Sequence, residues 1–239
     1  MVELKNVDVH YKDGGKHGVD ALHDVNIRIN DGEFVFIVGN SGSGKSTMLK
    51  LLTREILPTN GRVFVNGYNL SKMKNKKVPY FRRSLGMIFQ DFRLIPDMTV
   101  YDNVAFVLRV TDRSNKYIRQ RVPYVLNLVK LADKAKFKPT QLSGGEQQRV
   151  AIARAFACDP KLIIADEPTG NIDPALSYEI VELLKDINRC GTTVLMVTHE
   201  HDLVQYFGGR IINLSNGSVV FDNYIGGDEE YMEGEDEGK

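Results

Sequence analysis

The sequence predicts an α/β domain carrying an inserted block of helices, and three observations support that expectation. Short apolar runs rich in valine, isoleucine and phenylalanine recur along the chain, separated by glycine-bearing turns or helical patterns, as alternating strands and helices require. One of these runs, 34–38, leads through a glycine-rich loop directly into a helical pattern. From 100 to 157 the texture is mostly helical, with Val122, Val125, Leu126 and Val129 at three- and four-residue spacing.

Taken from the N-terminus, 2–10, 21–29 and 34–38 read as strands. In the second of them Val25, Ile27 and Ile29 alternate with polar residues, the pattern of a half-buried sheet. A helix follows Gly44, and a strand follows at 62–65. A second set of strands begins at 85–89 and resumes, beyond the helical block, at 162–165, 193–197 and 210–214. The block, about 91–157, therefore reads as a helical subdomain inserted into the α/β core, with no internal repeat.

A chain of 239 residues, 42% hydrophobic and 26% charged, can bury one substantial core. Lysine plus arginine and aspartate plus glutamate each total 31, so no positive excess points to nucleic acid. The balance is uneven along the chain: 226–239 (GGDEEYMEGEDEGK) holds seven acids and one lysine, net −6, which leaves +6 for 1–225. One domain over 1–225 followed by a disordered, solvating acidic tail is the expectation. Cys158 and Cys190 show neither paired nor metal-type spacing; this suits a reducing compartment and reads as two small buried hydrophobes. No apolar run approaches the ~20 residues of a membrane span and the N-terminus lacks an apolar signal core, so a soluble cytoplasmic chain is expected.

After the strand at 34–38 come Gly39, Asn40, Ser41, Gly42, Ser43, Gly44, Lys45, Ser46 and Thr47, which fit G-x-x-x-x-G-K-S between a strand and a helix. Glycines let the backbone wrap a polyphosphate with its N–H groups inward, and the helix start adds a favourable dipole. Lys45 is expected to reach the β- and γ-phosphates, and the Ser46 hydroxyl to ligate magnesium. By itself this P-loop pattern says only nucleotide phosphates, and it suits a kinase or a GTPase equally.

The strand at 162–165 ends in Asp166 and Glu167, two adjacent carboxylates at the carboxyl end of a buried strand, where open α/β sheets bind ligands. Asp166 is expected to hold magnesium through water, and Glu167 to orient or deprotonate an attacking water. The bland alternative is an acidic pair capping a helix before Pro168. His199 follows the strand at 193–197, and that placement makes it a candidate γ-phosphate sensor. Gln90 stands in the same way after 85–89, where its amide oxygen could touch magnesium.

At Leu142-Ser143-Gly144-Gly145-Glu146-Gln147-Gln148-Arg149 a serine and two glycines open a further helix, expected to run to about Ala157. Its N–H groups form a second anion site in a chain that already has a full cradle, which suggests use in trans; a plain cap by Ser143 is the even alternative.

LSGGEQQR resembles the signature motif of ABC ATPases, and the other pieces stand in that family's order over 1 to about 225. The resemblance implies a P-loop NTPase (RecA-like) core with an antiparallel β subdomain and the inserted helical subdomain. It also implies Tyr11 as an adenine-stacking aromatic, Gln90 as the Q-loop, Asn171-Ile172-Asp173 as the D-loop and His199 as the switch histidine. ATP would lie between the cradle of one copy and Ser143, Gly144 and Gly145 of the other. Ile172 stands where leucine is common, and the acidic tail after Gly226 lies outside the resemblance.

The stretches KNKKVPYFRRSLGMIFQD (74–91), TVYDNVA (99–105) and ADEPTGNID (165–173) are similar to the cell-division group of that family, the FtsE type. Known members pair with a polytopic membrane protein, FtsX, and control peptidoglycan hydrolases. The resemblance thus implies a peripheral ATPase at the cytoplasmic face of the membrane, working as a homodimer on an FtsX-like partner. Two rival expectations stand beside it: the motor of a lipoprotein-extracting or macrolide-type exporter, and a binding switch in which hydrolysis only resets a scaffold.

Overall fold

The structure is a computed structural model that describes residues 1–11 and 18–224. The tail expected at 226–239, and the domain boundary set just before it, lie outside the described residues.

Two sheets organise the molecule. β1 (Val2–Tyr11) and β2 (Val19–Ile29) form an antiparallel pair, followed by β3 (Phe34–Val38) and helix α1 (Lys45–Leu52). β4 (Asn60–Val65) and the two-residue β5 (Tyr68–Asn69) return to the first pair, giving a four-stranded antiparallel sheet in the order β2-β1-β4-β5. The short helix α2 (Val78–Arg82) leads into β6 (Leu85–Ile88).

The helical block then supplies α3 (Val100–Val110), α4 (Asn115–Leu128) and α5 (Gly144–Phe156). Beyond it come β7 (Leu162–Asp166), α6 (Pro174–Arg189), β8 (Thr193–Val197), α7 (His201–Phe207), β9 (Arg210–Ser215) and β10 (Ser218–Asp222). The second sheet has the order β10-β9-β3-β8-β7-β6. β9, β3, β8, β7 and β6 run parallel, and β10 turns back antiparallel at one edge. β3, β7 and β8 are apolar over both faces because a parallel sheet is covered on both sides.

Each face has its own core. Between the two sheets, Met48, Leu51 and Leu52 of α1 pack with Val35, Ile37, Ile164 and Leu195. On the other face, Phe36, Ile88, Ile163 and Val194 meet Val104, Leu108, Val122, Leu126 and Ile152 from the helical block, together with Ile180 and Leu184 of α6. The helices of the block therefore complete the core of the sheet.

The strand at 85–89 ends one residue early, at Ile88, because Phe89 already begins the turn toward Gln90. The expectation of two buried cysteines fails at Cys190, which is exposed; it caps the C-terminus of α6, where the chain turns out to solvent at Gly191. Cys158 is half-buried, 3.6 Å from the Thr111 hydroxyl, and both thiols are free.

Candidate functional site

A strand that stops beneath a covering helix must turn sharply, and the chain does so between β3 and α1. Gly39 has φ 152°, and a Cβ there would lie 2.3 Å from the Leu214 carbonyl oxygen; at Gly44, with φ 105°, it would lie 2.7 Å from Ala21 O. Neither position accommodates a side chain, so the loop lies flush against β9 and β2. Gly44 also gives α1 no side-chain cap, which leaves the first-turn N–H groups pointing into the loop. The Lys45 ammonium is buried and donates to the carbonyls of Gly39 (2.6 Å) and Asn40 (2.9 Å), which pins it across the mouth of the loop.

The loop is the floor of a cleft of about 690 Å³. Residues 39–47 line it along with Glu167 and His199, and so do Val19, Asp20, Ala21 and His201, which the sequence reading missed. The start of β2 reaches the cleft only through its pairing with β1, a tertiary fact without a local sequence signal. His201 could have been noticed two residues beyond His199. Tyr11 is beside the cleft, its hydroxyl 3.5 Å from Thr47 Oγ1.

Asp166 ends β7 and Glu167 begins the turn. Burial first, and then the adjacent Glu167 carboxylate, hold the Asp166 carboxyl above its ordinary range, while Arg93 and Lys45 pull the other way. Glu167 has φ 45°, a left-handed conformation that a branchless glycine would take more readily, and its N–H donates to Val197 O at 3.0 Å. That bond and the tight turn fix where the carboxylate points. Its Oε1 lies 3.3 Å from Nδ1 of His199, which is itself largely exposed.

Ser46 is exposed on the first turn of α1. A hydroxyl and a carboxylate are hard oxygen donors of the kind magnesium takes, and magnesium completes its shell with substrate phosphates and water. Ser46 and Asp166 are donors of this kind; Ser46 lines the cleft, whereas Asp166, at the end of β7, is not among its lining residues. Gln90 is placed differently: its side-chain amide packs over Gly170, its backbone carbonyl accepts from Asn171 Nδ2 at 2.9 Å, and it does not line the cleft.

The serine-glycine helix is elsewhere. Ser143 caps α5 in a reciprocal box with Glu146, whose carboxylate Lys134 first and the Ser143 N–H next hold below its usual range. A Cβ at Gly144 would lie 3.3 Å from Asn171 O, and one at Gly145 2.9 Å from Leu176 Cδ1, so both glycines let the helix end lie against 171–176. Asp173 caps α6 by accepting from the Ala175 N–H at 2.8 Å. From the same helix the buried Gln148 donates to Pro168 O at 2.6 Å, which ties α5 to the turn carrying Glu167. Ser143, Gly144 and Gly145 do not line the cleft formed by the cradle of their own chain.

A second depression of about 670 Å³ opens beside the Gln90 turn, with an apolar lining that includes Met87, Phe89, Phe106, Val107 and Val110. Arg154 forms part of its wall and donates to Phe92 O (2.8 Å) and Arg93 O, so α5 also fastens this turn. No helix among the described residues is long and apolar enough to cross a membrane.

The ABC transporter family model matches residues 22–170. The chain is 46% identical over 226 residues to the cell division ATP-binding protein FtsE of Bacillus subtilis, covering 95% of this chain and 97% of that one. It is 49% identical over 226 residues to the FtsE of Mycobacterium tuberculosis, with the same coverage. Its fold is similar to a dimeric post-hydrolysis state of the ATP-binding cassette MJ0796 bound to ADP and Pi, with a TM-score of 0.84, 42% identity and coverage of 95% of this chain and 100% of that one.

Proposed function

The chain belongs to the ABC transporter family, and from that premise we propose that it is the ATP-binding and hydrolysing subunit of a cell-division complex, working as an ATP-closed homodimer. The observation that carries this reading is the division of the site. The cleft gathers the cradle 39–47, Glu167 and His199, whereas Ser143, Gly144 and Gly145 do not line it. A serine-glycine helix start that takes no part in its own chain's cradle is suited to close over the cradle of a second copy.

In this reading the cradle N–H groups and Lys45 bind the β- and γ-phosphates, and Tyr11 stacks on the adenine. Ser46, Asp166 and Gln90 would hold magnesium, which when bound would neutralise phosphate charge. Glu167 orients the attacking water and accepts its proton, the role of a carboxylate held near the reacting phosphate. His199, held against Glu167, donates toward the γ-phosphate. Asp173 and the turn around it face the second copy, so hydrolysis at one cradle reaches the other.

The apolar depression beside Gln90 takes a cytoplasmic helix of an FtsX-like membrane protein, which keeps this ATPase peripheral at the cytoplasmic face. One domain over 1–225, with its helical insert at about 91–157, does this work. The test is the mass of Glu167→Gln in solution. With ATP and magnesium it should double from the 26.9 kDa of one chain and stay doubled because turnover is blocked. A single-chain mass at every protein and nucleotide concentration would remove the dimer.

A further inference from the structure

The zero net charge conceals a strongly cationic ledge. From Ile56 to Gln90 the sequence carries seven lysines and arginines and no acid. Six of them fall between Lys72 and Arg83, and Lys72, Lys74, Lys76, Lys77, Arg82 and Arg83 are all exposed. Charges farther apart than about 8 Å are screened at physiological salt, so only acids close to this cluster can offset it. Among the described residues none of the four lysines forms an ion pair, and Arg83 reaches only the exposed Asp112, at 3.9 Å. Like charges packed this closely repel one another, and an opposing anionic surface relieves the repulsion.

The ledge is held firmly. Val78 and Phe81 are buried beneath it, and Phe81 packs edge-on to Tyr68 with ring centroids 5.6 Å apart. Arg54 donates to Leu70 O (2.7 Å) and Met73 O (3.2 Å), and Arg82 donates to Thr53 O (2.9 Å). These bonds anchor the 70–82 segment to the end of α1 and turn its lysines outward. Tyr80, 69% exposed, stands among them with the Arg83 guanidinium 5.2 Å from its ring. A mixture of lysines with an exposed tyrosine is the composition that settles at a bilayer surface.

Position completes the argument. Pro79, Arg82 and Arg83 belong to the ledge and also line the apolar depression beside Gln90. The described chain ends at Tyr224, just past β10, at the sheet edge opposite β6, which α2 precedes. We propose that this ledge binds the anionic phospholipid headgroups of a membrane, so that the ATPase touches the bilayer directly beside its partner. The proposal rests on the reading that the depression takes a membrane partner's helix, since that reading turns this face toward the bilayer.

The experiment is flotation of the full chain with vesicles of phosphatidylglycerol and phosphatidylcholine, and with phosphatidylcholine alone, over a salt series. Binding to the anionic vesicles only, weakening as salt rises, is the expected result. The combined variant Lys72→Gln, Lys74→Gln, Lys76→Gln and Lys77→Gln should lower the partition coefficient on the order of six hundredfold, about fivefold for each lysine. Its ATP turnover in solution should remain that of the native chain, which certifies its fold. Equal binding to neutral vesicles, no binding at all, or an unchanged partition of the variant would each overturn the proposal. So would complete displacement by a single-stranded oligonucleotide at equal charge concentration, which would make the ledge a nucleic-acid site. Vesicle binding by a chain without ATP turnover would instead count against the proposed function alone.

Discussion

Glu167 holds a left-handed backbone at the position proposed for proton transfer, and the two properties can be separated by substitution. A residue with a Cβ in that conformation is destabilised by about 1–2 kcal/mol relative to glycine. Glycine gives back about 0.5–1 kcal/mol through the greater freedom of its unfolded chain. With φ at 45°, Glu167→Gly should therefore be more stable than Glu167→Ala by about 1 kcal/mol. In a chain of this size that difference raises the melting temperature by about 2–4 °C. Both variants lose the carboxylate, and with it about 10²- to 10⁴-fold of the turnover. Thermal unfolding followed by circular dichroism without nucleotide gives the first quantity, and phosphate release under saturating ATP gives the second. An alanine variant as stable as the glycine variant would refute the strain, and turnover within a few-fold of the native rate would take proton transfer away from Glu167.

Two further substitutions probe the electrostatics. Asp166 has a raised carboxyl pKa, so the folded chain holds its proton more tightly than the unfolded chain. Its contribution is therefore most favourable below the ordinary value of 3.8 and is lost as pH rises toward the folded value. Asp166→Asn should accordingly melt higher than the native chain at neutral pH in the absence of nucleotide, with the gap closing toward acid pH, while magnesium-dependent turnover disappears; a gap that widens toward acid pH would contradict the assignment. Arg210, 9% exposed at its side chain, bridges Glu33 at 2.6 Å and Asp222 at 2.9 Å and so clamps β9 to β10 and to the turn before β3. Arg210→Met leaves two partly buried carboxylates unpaired and should lower stability by about 2 kcal/mol in urea unfolding, with the nucleotide cleft intact.

Much of the arrangement could be read from residue order because the parallel sheet is buried on both faces. Its strands appear as unbroken apolar runs, and several candidate site residues stand at or just past the end of one: Gly39 after β3, Gln90 after β6, Asp166 at the end of β7, His199 after β8. The same rule does not reach elements formed by contact. β5 is two residues long, β10 is an antiparallel edge strand with Val220 and Phe221 exposed, and α2 is a single turn held by Val78 and Phe81. None has a long enough period to detect. The cap weighed for Ser143 is present, and Ser143-Gly144-Gly145-Glu146 carries the serine and glutamate spacing of a capping box, but nothing local reveals that Gly145 makes room for Leu176. Gln90 showed its place but not its orientation, since its packing over Gly170 depends on a turn eighty residues away. The cationic ledge was visible in the letters; reading total charge over the whole chain averaged it away.

The central claim is that one nucleotide is held by residues from two copies of the chain. It is tested most directly by mixing two inactive variants, Lys45→Ala and Ser143→Arg. Each alone has both of its shared sites damaged. A mixed pair has one site with both defects and one with neither. Random pairing makes about half the dimers mixed, so the account predicts that the mixture recovers about a quarter of the native turnover. No recovery at any mixing ratio, with both variants folded and binding ATP at their intact parts, would contradict it.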